Sequence, residues 1–318
     1  MSVLVFLDHE AGVWKKSSLE KLSYAAQLSQ KLQLPLHALS YGKVPELQAI
    51  SNFGLGVLHL QTQELGIDAY LLAKSLEKTA EKVDATWLIL GSDAWEKAAG
   101  SMLAIYLKAA IITGVSALAE VESVEKTVYS GKATAKVNLK TKTKILCLLA
   151  NAVPFIQFSG SIPKIENLDL APLTSGLQVK SVKKSTHTGI PLPEAERVVS
   201  AGRGLQGPEN WGMIEELADL LKAATACSRP VSDSDWRPHH EHVGQTGLTI
   251  RPNLYIAIGI SGAIQHLAGV SGSKIIVVIN KDKEAPFFKA AHYGIVADAF
   301  SVVPKLIAIL KEKELEKV

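Results

Sequence analysis

The sequence predicts an α/β protein built from two doubly wound domains, and three observations support this prediction. Short apolar runs of strand length alternate with segments that have one apolar face at helical spacing, which is typical of a parallel sheet covered by helices. A chain of 318 residues is long for one domain, so two are expected. Residues 254–258 (Leu-Tyr-Ile-Ala-Ile) form an unbroken apolar run before a turn of small residues, as in a strand buried on both faces.

Composition narrows the possible functions. Hydrophobic residues make up 47% of the chain, enough for large cores, yet no apolar run reaches the roughly 18 residues of a membrane-spanning helix. The net charge of +3 favours neither nucleic acid nor a membrane surface. Cys147 and Cys227 are far apart, which fits a reducing compartment and excludes a cysteine-based metal site. Because the first residues enter a strand directly, we expect a cytoplasmic protein that is not membrane-embedded.

Residues 1–160 are predicted to form the first α/β domain. A serine at 17 or 18 is expected to cap its first helix. After residue 111 the helical pattern disappears, and the short strands that follow predict an antiparallel extension of the same sheet. The predicted strands are 3–8, 36–40, 57–61, 85–91, 115–122, 126–129, 133–139 and 144–149, and the predicted helices are 17–32, 69–83 and 94–109.

Residues 161–194 are predicted to be a connector. This stretch contains four prolines, several Ser and Thr residues and the basic run at 180–184. Such a run is most often a solvated linker rather than a binding site.

Residues 195–318 are predicted to form a second, Rossmann-like domain. Its strands are expected at 197–201, 254–258, 274–280 and 293–298, with helices at 211–224 and 303–313. Residues 202–207 match G-x-G-x-x-G after a strand. However, Pro208 follows the motif directly, and Asn210 is expected to be the N-cap of the helix predicted at 211–224. A dinucleotide cradle and a glycine-rich turn that carries Arg203 to a ligand both remain open.

Polar residues recur where the predicted strands of the second domain end. In an open parallel sheet this carboxyl edge is where ligands bind. The mixture suits a large ligand: glycine turns and arginines for phosphate, Asn and Asp for sugar hydroxyls, and Gln, Thr and His for a heterocycle. These residues are Arg203, Ser228, Arg229, Gln245, Thr246, Ser261, Gln265, His266, Asn280 and Asp298.

The stretch 254–266 (Leu-Tyr-Ile-Ala-Ile-Gly-Ile-Ser-Gly-Ala-Ile-Gln-His), followed by Leu267-Ala-Gly269, resembles the signature of the electron transfer flavoprotein alpha subunit. The similarity covers the whole second domain in order, whereas the first domain fits in layout only. It continues through residues 202–204, 228–229, 243–247, 280–282, 285–286 and 293–298.

The resemblance implies a heterodimer with an electron transfer flavoprotein beta subunit, one FAD in the second domain of this chain, and AMP in the partner. It places Arg229 over the isoalloxazine, Thr246 near N5, and His266 at the N1–C2=O edge, where a donor would favour the anionic reduced ring. Asp235, His292 and Ala299 depart from the usual family residues. The positions implied to contact FAD are Arg203, Ser228, Arg229, Val243, Gly244, Gln245, Thr246, Ser261, Gly262, Ala263, Ile264, Gln265, His266, Asn280, Asp298 and Ala299.

The resemblance also implies a function. The expected role is that of an electron carrier without substrate turnover of its own, as in fatty acid beta-oxidation. It would take electrons from flavin dehydrogenases, such as acyl-CoA dehydrogenases, and pass them to a membrane quinone reductase, a quinone oxidoreductase. Alternatives within the family are electron-bifurcating and nitrogen-fixation versions, in which the other subunit binds a second flavin.

Three rival interpretations arise from the residues. Residues 259–263 (Gly-Ile-Ser-Gly-Ala) approach the G-x-S-x-G nucleophile elbow of a serine hydrolase, with Asp282 and His292 following, but Ala263 replaces the last Gly. The run His239-His-Glu-His242 invites a metal site but lacks H-E-x-x-H spacing, so a solvated loop is favoured. A nucleotide-binding module without redox work is also compatible with the parallel sheet.

Overall fold

The computed structural model divides the chain into two compact α/β units, one of residues 1–128 and 133–184 and the other of residues 185–318. The structure describes residues 1–63, 65, 68–129, 133–168, 174–177, 180–181 and 190–315, with the backbone alone at 314 and 315. The predicted α/β class with two parallel-sheet domains is confirmed. Among the described helices, none has both the length and the apolar character needed to cross a membrane.

The described residues of the N-terminal unit form eleven strands and three α-helices. The strands are β1 Ser2–Phe6, β2 His9–Glu10, β3 Val13–Trp14, β4 Leu36–Tyr41, β5 Val57–Gln61, β6 Ala85–Leu90, β7 Ala110–Val115, β8 Ser123–Val128, β9 Ala133–Asn138, β10 Lys144–Leu148 and β11 Lys164–Asn167. The helices are α1 Lys16–Leu32, α2 Ala69–Lys82 and α3 Ala94–Tyr106.

Nine of these strands form one sheet in the order β11-β5-β4-β1-β6-β10-β7-β8-β9. The pairings from β11 to β7 are parallel, and β8 and β9 are antiparallel. Buried apolar residues of α1 pack on one face, and those of α2 and α3 pack on the other. Covering both faces explains why the central strands are apolar throughout, since each buried aliphatic side chain contributes about 1.5–3 kcal/mol.

The predicted antiparallel extension is right for β8 and β9 and wrong for two of its strands. The strand predicted at 115–122 is instead Ala110–Val115. The strand predicted at 144–149 lies inside the parallel sheet, between β6 and β7. Its residues Ile145, Leu146 and Cys147 are fully buried, which is the signature of a central strand. Parallel strands were predicted where strands alternate with helices. Because no helix directly precedes this strand, the sequence did not indicate its position in the parallel sheet.

Two local predictions are also corrected. The first helix begins at Lys16 after Lys15, without a side-chain cap. Ser18 does not cap it, because its hydroxyl donates to the Asp8 carbonyl and accepts the Asp8 N–H. Within the stretch predicted as a connector, Lys164–Asn167 forms edge strand β11 and pairs with β5. Most of the basic run at 180–184 lies outside the described residues.

In the C-terminal unit, residues 190–315 form five strands in the order β13-β12-β14-β15-β16, all parallel. Its helices α4 and α7 pack on one face, while the other face is covered by Val243, Val270 and Phe287. The strands are β12 Arg197–Ala201, β13 Ala224–Cys227, β14 Leu254–Ile258, β15 Ile275–Asn280 and β16 Tyr293–Val296. The helices are α4 Gly212–Leu220, α5 Arg229–Ser232, α6 Ile264–Val270 and α7 Ala299–Leu315.

Helix boundaries in this unit differ from prediction for local reasons. The helix predicted at 211–224 ends at Leu220 because Lys222 adopts a positive φ of 49°, and the next residues form β13. Asn210 does not cap it, since its amide donates to the Leu205 carbonyl. The last helix begins four residues before the predicted start at 303, because Asp298 Oδ1 accepts the Phe300 N–H.

Both cysteines lie in strands of the two sheets. Cys147 in β10 and Cys227 in β13 are free thiols and fully buried. Burial raises the pKa of each thiol to about 12. Each is therefore a small core residue rather than a reactive group.

A buried ion pair closes the carboxyl edge of the N-terminal sheet beside β1 and β6. Lys21 Nζ of α1 lies 2.8 and 2.9 Å from the two carboxylate oxygens of Glu96 in α3. The side chains are only 2% and 1% exposed. Glu96 also accepts the Gly91 N–H, and the Lys21 ammonium lies over the Phe6 ring. The pair thus occupies the crevice in which ligands bind in many open parallel sheets.

Removing one partner of this pair is expected to destabilise the N-terminal unit. K21A leaves the Glu96 carboxylate buried without its cation, at a cost of about 3–5 kcal/mol. The double change K21M/E96Q removes both charges and keeps an acceptor for Gly91, so it is expected to cost much less. Urea unfolding followed by circular dichroism measures both. Equal losses in the single and double variants would contradict this account.

Candidate functional site

The candidate site begins where β12 and β14 end side by side. From β12 the chain first moves to β13 on one side of the sheet, and later strands lie on the other side. Such a reversal of strand order opens a crevice at the carboxyl edge. Here the Gly202 N–H donates to the Ile258 carbonyl at 3.0 Å, and the Gly204 N–H donates to the Gly259 carbonyl at 3.1 Å.

The two glycine turns touch backbone to backbone. A Cβ at Gly204 would lie 2.6 Å from the Cα of Gly259, and one at Gly202 would lie 2.5 Å from the Gly259 carbonyl oxygen. Gly259 also has a φ of 61°, which favours glycine. The first turn, Arg203–Leu205, is a short 3-10 segment, and α4 begins only at Gly212. Of the two sequence interpretations, the structure favours a turn that presents Arg203.

A cavity of about 420 Å³ lies above these turns. This volume falls within the roughly 300–1,000 Å³ of small-molecule sites. The predicted site residues that line it are Arg203, Ser228, Arg229, Val243, Gly244, Gln245, Thr246, Ser261, Ala263, Gln265 and His266. Four further lining residues were not predicted: Pro230, His242, Gly259 and Ile260. Gly259 and Ile260 lie within the stretch 254–266 that resembles the family signature. Treating that stretch as one continuous part of the site would have predicted both of them.

The remaining predicted residues do not line this cavity. Gly262 is buried against Phe287, where a Cβ would lie 2.4 Å from that side chain. Asn280 holds the turn after β14, since its amide donates to the Ile260 carbonyl at 3.0 Å. Asp298 follows β16 and caps α7, Ala299 is buried at the start of that helix, and Ile264 is exposed. Asn280 and Asp298 stay at the carboxyl edge of the sheet, beyond the cavity.

The loop at 243–247 forms one wall of the cavity and is fixed to α6. The Gln245 N–H donates to the Gln265 carbonyl at 2.7 Å, and the Gly244 N–H donates to the Leu248 carbonyl. A Cβ at Gly269 would lie 2.5 Å from the Gly244 nitrogen, so glycines at both positions allow the loop and helix to touch. This contact orients Gln245 and Thr246 towards the cavity.

A second set of contacts holds the segment before this loop. Arg237 reaches both carboxylate oxygens of Glu241 at 2.6 and 2.9 Å and Glu215 of α4 at 2.8 Å. Its guanidinium also lies 5.4 Å from the ring of Trp211. Planar pairing with a buried carboxylate restricts geometry, so Arg237 positions the chain that leads into the cavity wall.

His266 is the most deeply buried ring of the cavity wall, with 7% exposed. Its Nε2 lies 2.8 Å from the Tyr255 hydroxyl. Nδ1, close to the Val243 backbone, makes no hydrogen bond of good geometry with the described residues. Burial, aided by the nearby His242, lowers the pKa of His266 to about 4. The imidazole is therefore neutral at neutral pH, and its buried Nδ1 lacks a well-aligned partner among the described residues.

Arg229 supplies positive charge at the rim. Its side chain is 63% exposed, and its Nε forms an ion pair with Asp233 at 3.2 Å. An exposed pair of this kind contributes less than about 1 kcal/mol. The guanidinium is therefore available to a ring or an anion in the cavity.

The rival sites find little support within the described chain. His292 Nδ1 accepts the Ile276 N–H and Asp282 accepts the Glu284 N–H, so neither is arranged as a triad partner of Ser261. No cluster of three metal-ligating side chains occurs in the described ranges. The prediction of a solvated loop at 239–242 is wrong for half of it: His239–Glu241 is a 3-10 turn, and Glu241 and His242 are buried.

A glycine-lined crevice at the reversal of a parallel sheet, with guanidinium and imidazole groups around it, is the arrangement typical of nucleotide-binding α/β domains. Sequence comparison identifies which one. The profile of the electron transfer flavoprotein domain matches residues 3–173, and that of the electron transfer flavoprotein FAD-binding domain matches residues 191–271. The chain belongs to the electron transfer flavoprotein alpha-subunit family.

Individual relatives agree. The chain is 43% identical over 205 residues to the electron transfer flavoprotein subunit alpha of Paracoccus denitrificans, an alignment that covers 64% of this chain and 66% of that protein. It is 33% identical to a probable mitochondrial alpha subunit of Caenorhabditis elegans, over 97% of this chain and 93% of the relative. The match to the Syntrophomonas wolfei subunit is 43% over 59% of each chain. Since the family includes proteins named as mitochondrial, a cytoplasmic location stays a prediction.

The glycine contact gives the first prediction for this domain. In G204A the new methyl group meets the Gly259 backbone, and we expect a loss of about 1–3 kcal/mol in the free energy of unfolding. G212A is the matched control, because a Cβ there meets nothing within 4 Å. Thermal unfolding measures both. A G204A melting temperature equal to that of G212A would show that the turns can separate freely.

The buried imidazole gives a pH prediction. His266 has a folded-state pKa of about 4, below the ordinary value of 6.5, so its contribution to stability is complete above pH 6.5 and is lost as pH falls towards 4. The loss is about 3 kcal/mol at pH 4. H266Q is expected to show a smaller loss than wild type between pH 7 and pH 4, whereas H240Q, an exposed control, should follow wild type. Urea unfolding at several pH values measures this, and identical slopes for wild type and H266Q would refute it.

Proposed function

We propose that this chain holds one FAD in its C-terminal unit and, paired with an electron transfer flavoprotein beta subunit, acts as an electron carrier without substrate turnover of its own. In this role it takes electrons from flavin dehydrogenases, such as acyl-CoA dehydrogenases, and delivers them to a membrane quinone reductase. The cavity above the Gly204–Gly259 contact is the observation that carries the proposal.

The residues present fit a flavin dinucleotide in three ways. Backbone without side chains lies at the crevice, so a phosphate group has close access to it. Arg203 and Arg229 bring positive charge to the cavity wall. Nδ1 of His266 is buried and makes no well-formed hydrogen bond with the described residues, as expected of a group that serves a ligand. A match to an FAD-binding domain over residues 191–271 supports the same assignment.

FAD, when bound, supplies the redox chemistry, and the protein supplies binding, orientation and electrostatics. In our proposal His266 and Arg229 face the isoalloxazine. The imidazole, held by Tyr255, gives a hydrogen bond to the ring edge that becomes more negative on reduction, and the guanidinium places a positive charge nearby. Both interactions favour the reduced ring and raise the reduction potential.

The predicted residues beyond the cavity suit the other end of a long ligand. We propose that Asn280 and Asp298, at the carboxyl ends of β15 and β16, serve the adenosine half of FAD. Their amide and carboxylate groups are suited to sugar hydroxyls. Gly262, Ile264 and Ala299 would then act through the backbone around these contacts.

Co-purification with the beta subunit tests the proposal. The pair is expected to be yellow, with the absorption spectrum of oxidised flavin and one FAD for each alpha-type chain. Nucleotide analysis separates AMP from a second FAD in the partner, and so separates the carrier from an electron-bifurcating version. A colourless pair that takes up no added FAD would overturn the proposal.

Arg229 gives a sharper prediction. R229A is expected to lower the reduction potential of the bound flavin, because the charge that favours the reduced ring is lost, while most FAD is retained. R197A is the matched control, since Arg197 is exposed at the opposite end of β12. Dithionite titration with a reference dye measures the potential, and fluorescence measures retained FAD. An unchanged reduction potential in R229A would show that Arg229 does not stabilise the charge of the reduced flavin.

A further inference from the structure

His242 is a second imidazole in the cavity wall, beside His266. It directly precedes the loop at 243–247, lines the cavity, and is only 9% exposed. The sequence placed it in a histidine-rich run that resembled a surface loop. In the structure its neighbours His239 and His240 are exposed, whereas His242 turns inward.

The loop closes around the His242 ring. A Cβ at Gly247 would lie 2.8 Å from Nδ1, and a Cβ at Gly244 would lie 3.4 Å from Nε2. The His242 backbone carbonyl also accepts the Leu248 N–H at 2.9 Å. Both ring nitrogens are thus flanked by glycine backbone, and the ring is held in one place without a hydrogen bond to its side chain in the described chain.

The charges around this ring come from three elements. Arg229 and Asp233, at the two ends of α5, His239 in the preceding 3-10 turn, and His266 in α6 all act on the site. Burial is the largest influence and lowers the pKa of His242, Asp233 acts in the opposite direction, and Arg229 and His239 add to the lowering. The ring is therefore a neutral donor and acceptor at the edge of the cavity, and no side-chain hydrogen bond joins it to the part of the chain that the structure describes.

We propose that His242 contacts the flavin through a hydrogen bond and binds a proton from solvent when the flavin gains an electron. This inference rests on the proposed function. Negative charge that develops beside a neutral imidazole favours the cationic form of that imidazole. The electron comes from the external reductant, the proton comes from water, and the charge of the buried site stays balanced.

The test is the pH dependence of the reduction potential of the bound flavin, measured by dithionite titration between pH 5.5 and 8 on the pair formed with the beta subunit. H242Q keeps a hydrogen-bonding group near Nε2 but takes up no proton in this range. We expect the potential of wild type to exceed that of H242Q by an amount that grows as pH falls. H240Q, the same change on an exposed histidine two residues away, should follow wild type.

Two further measurements keep the outcomes separate. H242N places its amide near the position of Nδ1 and replaces H242Q in the titration if H242Q loses FAD. In a variant that lacks the proposed hydrogen bond to the flavin, fluorescence titration is expected to show FAD binding about five-fold weaker than in wild type. Wild type and variant profiles that stay parallel at every pH, with FAD bound, would overturn this inference and leave the proposed function intact. A wild-type pair that takes up no FAD would overturn both.

Discussion

The contact between two side-chain-free turns, at Gly204 and Gly259, is the constraint on which the C-terminal unit depends. These turns end neighbouring strands β12 and β14 at the place where the strand order reverses. Any larger residue would force the turns apart and close or distort the crevice. Because the backbones touch, the groups that follow each strand converge on one small volume, although they are as much as about sixty residues apart in sequence.

The walls of that volume are positioned by interactions outside it. Arg237 joins Glu241 to Glu215 and packs on Trp211, all away from the cavity lining. Tyr255 holds His266 from the sheet below. The side chains that line the cavity therefore use little of their own hydrogen-bonding capacity to hold the fold. Some residues thus hold the walls in place while others line the cavity, as a preorganised site requires.

The sequence was most informative where one physical signal dominated. The apolar run at Leu254–Ile258 predicted a strand with the observed bounds. Of the predicted site residues that follow it, Ser261, Ala263, Gln265 and His266 line the cavity, whereas Gly262 and Ile264 do not. Prediction from the sequence failed where contacts between distant parts of the chain determine the local structure. Lys144–Leu148 carries no local sign that it inserts between β6 and β7, since its partners are distant in sequence. Ser18 resembled a cap but bonds Asp8 instead, and Lys222 ends α4 through a backbone conformation that composition does not reveal.

His242 illustrates the same limit in the site itself. Its neighbours His239 and His240 are exposed, so the local pattern favoured solvent. Only the closure of the loop around the ring, through Gly244 and Gly247, turns it towards the cavity. Residue type alone did not distinguish the inward histidine from the outward ones.

The two native thiols have a practical consequence. Cys147 and Cys227 are inaccessible, and a thiol with a pKa of about 12 presents almost no thiolate at the pH used for maleimide chemistry. A cysteine introduced on the surface can therefore carry a fluorophore or a nitroxide without first deleting the originals. The wild-type background is ready for distance measurements by energy transfer or pulsed electron resonance.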